Sequence, residues 1–296
     1  MLVKASNGLS HLEFDAGSET WGHLLAELSS DRTLVRHDRR GCGLSERDVA
    51  AVSLDGWVAD LEAVVAARGL DRFPLLGVSE GALVALAYAA RHPHRVNRLV
   101  LHGAWARPGA RAACPFPGGH GAADLRELAV SAALSSRIRE VEDGVDLAPL
   151  LDRVTCPTLL LHATADPEVP IAEARWLAGQ LSDAQVVALD SANHMLQPSE
   201  PAWDHWLSEV RRFLPREPDV SSPVARLTAR EREILDLLAQ GRDNPTIAST
   251  LNLGTKTVRN HVSNLYRKLG SATRRQAMAS AREAGFGRTF RPGAGL

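Results

Sequence analysis

Cysteine is scarce in this 296-residue chain. Cys42, Cys114 and Cys156 are odd in number, far apart and form no CxxC pair. That excludes a disulfide framework, argues against a thiolate zinc site and fits a reducing cytoplasm. Long hydrophobic runs are also missing. The longest, Ala82 to Ala90, falls well short of the roughly 18 residues that a membrane span needs. Met1-Leu-Val-Lys-Ala holds no basic segment followed by an apolar one, so no secretory signal is expected. Metal-ligand clusters are lacking too. His92 and His94 flank Pro93 with no carboxylate or Cys set to complete a site, and they read as solvent-facing. Neither a metal nor a cofactor is expected.

The remaining composition is ordinary for a folded chain, with 45% hydrophobic and 23% charged residues, and it excludes wholesale disorder. The length suits two domains. A net charge of -1 hides an asymmetry. Residues 225–296 hold 13 Lys+Arg against 5 Asp+Glu, and residues 1–224 hold 21 against 30. An acidic front part joined to a basic rear part points to a polyanionic partner for the rear.

Before about residue 213 short apolar runs alternate with amphipathic helical patterns. Strands are expected at Leu2 to Lys4, Thr33 to Arg36, Phe73 to Gly77, Arg98 to Leu101, Thr158 to His162 and Gln185 to Leu189. Most are almost wholly apolar, as strands buried on both faces should be. Leu54, Val58, Leu61 and Val65 recur at helical spacing behind Ser53, a candidate N-cap. Trp203, Trp206, Leu207, Val210 and Phe213 do the same near the end of this region. The alternation predicts an α/β fold, a mostly parallel sheet with helices on both faces. Residues 107–145 interrupt it and read as a cap. Residues 214–224, with three prolines, read as an extended linker, and residues 286–296 as a flexible tail.

Gly77-Val-Ser79-Glu-Gly81 lies between an apolar strand and the helical run Ala82 to Ala90. A serine on so tight a turn is lifted to the sheet's carboxyl edge, where it needs a base and an orienting acid. Asp166 follows the strand ending at His162, and His194 follows the strand ending at Leu189. The order Ser79, Asp166, His194, each just past a strand end, suits a catalytic triad. Cys42 sits in a Gly-flanked loop and reads as a small buried residue.

With Asp38-Arg-Arg-Gly41-Cys-Gly43-Leu-Ser45, similar to a D-x-R-G-x-G-x-S loop, these motifs resemble the α/β-hydrolase family over residues 1–213. The resemblance implies a serine hydrolase pocket, with the backbone N–H groups of Glu80 and of Asn7 or Gly8 as oxyanion donors. The chain departs from that pattern in four ways. It begins at what resembles the family's third strand, and Ala5-Ser-Asn-Gly8 replaces the usual His-Gly. A carboxylate, Glu80, follows the nucleophile, and the cap is short, so the sheet is N-terminally short with a reduced cap.

The basic rear part reads as four short helices. Thr228-x-x-Glu231 and Thr273-x-x-Gln276 are capping boxes. Ile234, Leu237 and Leu238 give the first helix an apolar face, and Gly241 ends it. A second helix is expected from about Pro245 to Leu251 behind an Asn244 cap. A third runs from about Thr255 to Leu269, with Val258, Val262, Leu265 and Leu269 as its buried stripe. Its other face carries Lys256, Arg259, Asn260, Ser263, Asn264 and Arg267, and no acid. Arg can take guanine O6 and N7 together, and Asn adenine N6 and N7. Two helices around such a rod make a helix-turn-helix.

Leu-Thr-Ala-Arg-Glu-Arg-Glu-Ile-Leu from Leu227, Lys256-Thr-Val-Arg-Asn-His-Val and Arg267-Lys-Leu-Gly270 resemble the LuxR-type helix-turn-helix family over about residues 225–285. Here Pro245-Thr246 replaces the usual Lys-Glu, and Gly254 the usual Ser cap. The resemblance implies a transcriptional regulator that places its third helix, the recognition helix, in the major groove of double-stranded DNA and forms a homodimer through its last helix. It implies base contacts from Arg259, Asn260 and Ser263, and phosphate contacts from Lys256, Thr257, His261 and Lys268, with Arg267 on the same face. The front domain is expected to bind a small, partly apolar ligand that biases how two protomers present their helices, or to hydrolyse an ester substrate. Moving such an equilibrium from 1:99 to 99:1 takes about 5.5 kcal/mol of differential affinity.

Overall fold

Alternation of apolar side chains between two faces builds the sheet of the first unit. Leu75, Leu99 and Leu160 point to one core, and their neighbours Leu76, Val100, Leu159 and Leu161 to the other. The computed structural model describes residues 1–8, 10–112, 130–214, 227–283 and 286–287. The chain divides into two compact units, Met1–Pro215 and Arg216–Leu296. Most of the cap's opening, Cys114, nearly all of the linker and most of the tail lie outside the described residues.

The described strands of the first unit are β1 (Leu2–Lys4), β2 (Leu34–Val35), β3 (Phe73–Val78), β4 (Val96–His102), β5 (Thr158–Ala163) and β6 (Ala184–Leu189). They form one sheet in the order β2-β1-β3-β4-β5-β6, and all five pairings are parallel. Parallel neighbours need crossovers, and helices supply them. Between β1 and β2 lie α1 (Leu12–Gly17) and α2 (Gly22–Ser30). Then follow α3 (Leu54–Ala67), α4 (Gly81–Arg91), α5 (Ala132–Gly144), α6 (Ile171–Gln180) and α7 (Pro201–Phe213).

Ser53 caps α3, its hydroxyl accepting from the Gly56 N–H at 3.1 Å. Helices α3, α4 and α6 pack on one face of the sheet. Helix α4 is buried from Gly81 to Ala90, and its five alanines let it lie deep in the core. On the other face α2 and α7 contribute Leu24, Leu25, Leu28, Trp203, Trp206, Leu207 and Val210. Burial of an apolar side chain of this size is worth about 1.5–3 kcal/mol. Arg107 anchors the start of the cap region, pairing with Glu173 of α6 at 2.6 Å and stacking on Trp176.

The second unit is helical in its described residues: α8 (Ala229–Ala239), α9 (Asn244–Thr250), α10 (Thr255–Leu269) and α11 (Arg274–Glu283). Thr228 and Glu231 form the capping box. The Lys268 ammonium donates to the Glu231 carboxylate at 2.7 Å, tying the end of α10 to the start of α8. The core joins Ile234, Leu235, Leu238, Ile247, Val258, Val262, Leu265, Leu269, Ala277 and Ala281. On α8 it is Leu235 that is fully buried, while Leu237 packs half-buried. The α9 cap is Asp243 rather than Asn244: its carboxylate accepts from the Thr246 N–H at 2.9 Å. Asn244 is instead the first helical residue, and its side-chain oxygen accepts from Arg274. Gly270 closes α10 in the left-handed region, at φ +62°.

Candidate functional site

Strand β3 ends at Val78, and the chain turns into α4 through Ser79 at φ +52°. A non-glycine residue there is strained, and the strain points the hydroxyl away from the sheet. The flanking glycines make the turn possible. A Cβ on Gly77 would lie 2.6 Å from the Ala82 Cα, and one on Gly81 3.2 Å from the Ala5 carbonyl oxygen.

The structure brings Ser79, Asp166 and His194 together. His194 Nε2 lies 2.8 Å from Ser79 Oγ, and its Nδ1 lies 2.7 Å from Asp166 Oδ2. The second Asp166 oxygen accepts from the Glu168 and Val169 N–H groups at 2.8 and 3.0 Å, which fixes the carboxylate. Burial disfavours a charged imidazole, yet the Asp166 hydrogen bond and charge outweigh it and hold the His194 pKa above its ordinary value. Asp166 is depressed in spite of burial, because it accepts from and faces His194. The arrangement can take the Ser79 proton onto Nε2 while keeping Nδ1–H on a carboxylate.

Two histidines that the sequence reading passed over support this base. His102, the last residue of β4, donates from Nε2 to the His194 carbonyl at 2.8 Å. His162 of β5 donates from Nε2 to the Val169 carbonyl at 2.7 Å and lies 3.5 Å from Asp166. Burial, and then the charge of His194, push the His102 pKa down to about 4, so the ring is neutral and suited to that donor role. Their signal in the sequence was a histidine at or next to a strand's carboxyl end. Gly103, at φ +58°, follows His102 and gives the His194 ring its room.

Asn7 ties the loop after β1 to the nucleophile turn. Its side-chain amide donates to the Val78 carbonyl at 2.7 Å, and its oxygen accepts from Lys4. Gly8 fits beside Arg39 and Glu142, where a Cβ would fall within 3 Å of both side chains. The Glu80 carboxylate is buried and turns toward Asn7 Nδ2 and Arg111, each at 3.4 Å. Arg111 also pairs with Asp143 at 2.8 Å and approaches Glu142 at 3.8 Å. Burial raises Glu80, but Arg111, its own backbone N–H and His194 together hold it below the usual carboxylate value. Glu142 is raised by burial to about 7, although Arg39 pairs with it at 2.7 Å. A small open cleft lies among Gly8, Glu80, Arg111, Ser135, Ile138, Arg139 and Glu142. Its lining is mostly charged.

Cys42 is buried, its thiol donating to the Gly8 carbonyl at 3.3 Å. His92 contacts Glu62 at 2.6 Å, and His94 is exposed. Among the described residues no group of three or more His, Cys, Asp or Glu is placed to hold a metal ion, and no described helix is long and apolar enough to cross a membrane.

In the second unit, α10 exposes Lys256, Thr257, Arg259, Asn260, Ser263, Asn264 and Arg267 along one face, opposite Val258, Val262, Leu265 and Leu269. His261 is half-buried beside them. Arg267 donates to the Asn264 side chain at 3.2 Å. Lys268 stands apart at the Glu231 pair, with its ammonium engaged inside the domain.

The sequence pattern of bacterial regulatory proteins of the luxR family matches residues 225–281. That of the alpha/beta hydrolase fold matches residues 8–115, and that of TAP-like protein residues 140–215. The chain is 41% identical over 85 residues to the 2-hydroxy-6-oxo-2,4-heptadienoate hydrolase of Pseudomonas putida, covering 28% of this chain and 31% of that one. It thus spans about a third of that relative's length. It is 32% identical over 170 residues to the pimeloyl-[acyl-carrier protein] methyl ester esterase of Aromatoleum aromaticum, covering 42% of this chain and 68% of the other. Among solved structures, a hydrolase from Pseudomonas aeruginosa superposes with a TM-score of 0.59 at 20% identity, over 72% of this chain and 88% of that one. With its parallel sheet and its sequence likeness to these enzymes, the chain belongs to the α/β-hydrolase family and carries a luxR-family regulatory domain at its carboxyl end.

Proposed function

We propose that this protein is a DNA-binding transcriptional regulator whose α/β-hydrolase domain receives a small acyl compound at Ser79. The observation that carries the regulatory half is the exposed face of α10, basic and amide-rich without an acid. Such a face suits the major groove, where Arg259, Asn260 and Ser263 contact base edges and Lys256, Thr257, His261 and Arg267 approach phosphates. Lys268 adds positive charge nearby, although its Glu231 pair limits its reach. The protein acts in the cytoplasm as a homodimer, the arrangement that paired half-sites on a duplex require.

A closed triad favours a second reading, in which turnover is the main task and the regulatory module is secondary. Ser79 Oγ would bond to the acyl carbon while its proton passes to His194 Nε2. The N–H groups of Glu80 and Asn7 would stabilise the oxyanion. The proton would leave with the departing alkoxide, and water would then release the acid. The two readings share one site and differ in what occupancy of Ser79 does to DNA binding.

Binding to selected and random duplexes tests the regulatory half. Arg259→Ala is expected to cost about 1–3 kcal/mol on the selected duplex and to relax base preference. Lys256→Ala should weaken both duplexes alike and flatten the salt dependence. Equal losses on both duplexes for Arg259→Ala would contradict the base-contact assignment.

A further inference from the structure

Four rings pack in series against the loop that carries His194. His23, near the start of α2, packs T-shaped on Trp203, with ring centres 4.6 Å apart. Trp203 stacks on Trp206, almost one turn along α7, at 5.3 Å with the planes 9° apart. Trp206 packs T-shaped on His102, the last residue of β4, at 6.2 Å. The two tryptophans and His102 are buried, and His23 is half-buried. Each end of the series is thus an imidazole, and each reaches the same loop. His102 donates from Nε2 to the His194 carbonyl at 2.8 Å, and His23 from Nε2 to the Leu196 carbonyl at 2.9 Å. A carbonyl only accepts, so both rings carry a proton on Nε2. Their Nδ1 atoms are buried and have no hydrogen-bond partner among the described residues. Each ring is therefore aimed by its aromatic neighbour and by one carbonyl. The His102 carbonyl also accepts from the Ser79 N–H at 2.8 Å. The inner end of the series so touches the main chain of both nucleophile and base. The outer end acts on the base only through Leu196.

Resting on the hydrolytic reading of Ser79, we propose that the ring series aims two donors at the base loop and that its outer ring, His23, is a positioning residue for His194. The two held carbonyls bracket Met195, which itself packs on the core. Holding them fixes the peptide planes on both sides of Met195, and with them the direction from which the imidazole enters the site. Without the His23 donor the Leu196 carbonyl loses its partner, and the loop shifts to find another. Nε2 then leaves its alignment with Ser79 Oγ, 2.8 Å away. The loss falls on proton transfer rather than on substrate binding.

The test uses the full-length protein and p-nitrophenyl butyrate. His23→Phe keeps a ring on Trp203 and deletes the donor. His23→Gln gives up the ring and keeps an amide N–H where Nε2 stood. His23→Phe is expected to lower kcat about tenfold with KM within about twofold of wild type. Labelling of Ser79 by a fluorophosphonate should slow by a similar factor, and His23→Gln should recover most of both rates. His23→Leu gives the same readout if His23→Phe fails to fold. Glu27→Gln is the control for the seating of α2. It removes the 2.6 Å pair with Arg211 of α7, which joins the same two helices without touching the base loop, and kcat should stay at the wild-type level. A kcat for His23→Phe within about twofold of wild type overturns the inference alone. So does an equal loss in His23→Gln, which would place the effect in ring packing, or in Glu27→Gln, which would place it in helix seating. No turnover by the wild type above a Ser79→Ala control would overturn the hydrolytic reading, and the inference with it.

Discussion

On the hydrolytic reading, replacing Ser79 with Ala is expected to lower kcat/KM for a short activated ester by about ten-thousand-fold or more. Oγ, 2.8 Å from His194 Nε2, is the nucleophile that reading assigns, with the imidazole placed to take its proton. The change removes one oxygen from a residue whose backbone is already fixed by the Ser79 N–H to His102 carbonyl bond at 2.8 Å. Melting temperature should therefore stay close to wild type, which separates lost chemistry from lost structure. The wild-type pH profile carries the same signature. His194 accepts the proton only when neutral, and its pKa lies above the ordinary 6.5. Activity should thus rise with pH through a midpoint above 6.5, and should be lost as the imidazole charges on the acid side. Asp166→Asn should move that limb downward, because the carboxylate that favours the charged ring is gone. A limb below the ordinary value in wild type would mean that Asp166 does not govern His194.

Gly103→Ala is expected to cost about a hundredfold in kcat although it substitutes none of Ser79, Asp166 and His194. A Cβ there would lie 2.5 Å from His194 Cε1 and 3.0 Å from Nδ1, and the backbone sits at φ +58°. The imidazole must move off one of two bonds shorter than 3 Å, and displacement of about 1 Å is enough for such a loss. Gly109→Ala is the matching control. Its φ is +72°, but among the described residues nothing lies within 4 Å of the added carbon. It should lose only the stability that a left-handed backbone costs an L side chain, about 1–2 kcal/mol, and keep the wild-type activity. Equal activity loss in the two variants would place the effect in backbone strain rather than in the His194 ring.

The meeting of Ser79, Asp166 and His194 was legible in the sequence because each lies just past an apolar strand, and such strands are recognisable from composition alone. The α10 stripe was legible because Val258, Val262, Leu265 and Leu269 repeat at helical spacing. What stayed hidden lacks a period. His102 and His162 matter through main-chain carbonyls of loops far away in sequence, at His194 and Val169. The cluster of Glu80, Arg111, Glu142 and Arg39 joins four separate segments, and only the fold brings them to one cleft. The α9 cap was displaced by one residue, since Asp243 and Asn244 are both good caps and Pro245 fits the second helical position as well as the first. Lys268 looked like a free cation because nothing local reveals that Glu231, at the start of α8, reaches it.

The link between the acyl site and DNA binding can be measured on one sample. Full-length protein is titrated onto a selected duplex by fluorescence anisotropy, before and after an alkyl fluorophosphonate has been attached to Ser79. Occupancy should change Kd by about fivefold or more, the size of an ordinary coupling between two sites, and Ser79→Ala should show no change with the same reagent. An identical Kd for free and fully modified wild type, or a folded protein that ignores every duplex at low ionic strength, would contradict a hydrolase-fold controller joined to a groove-reading helix.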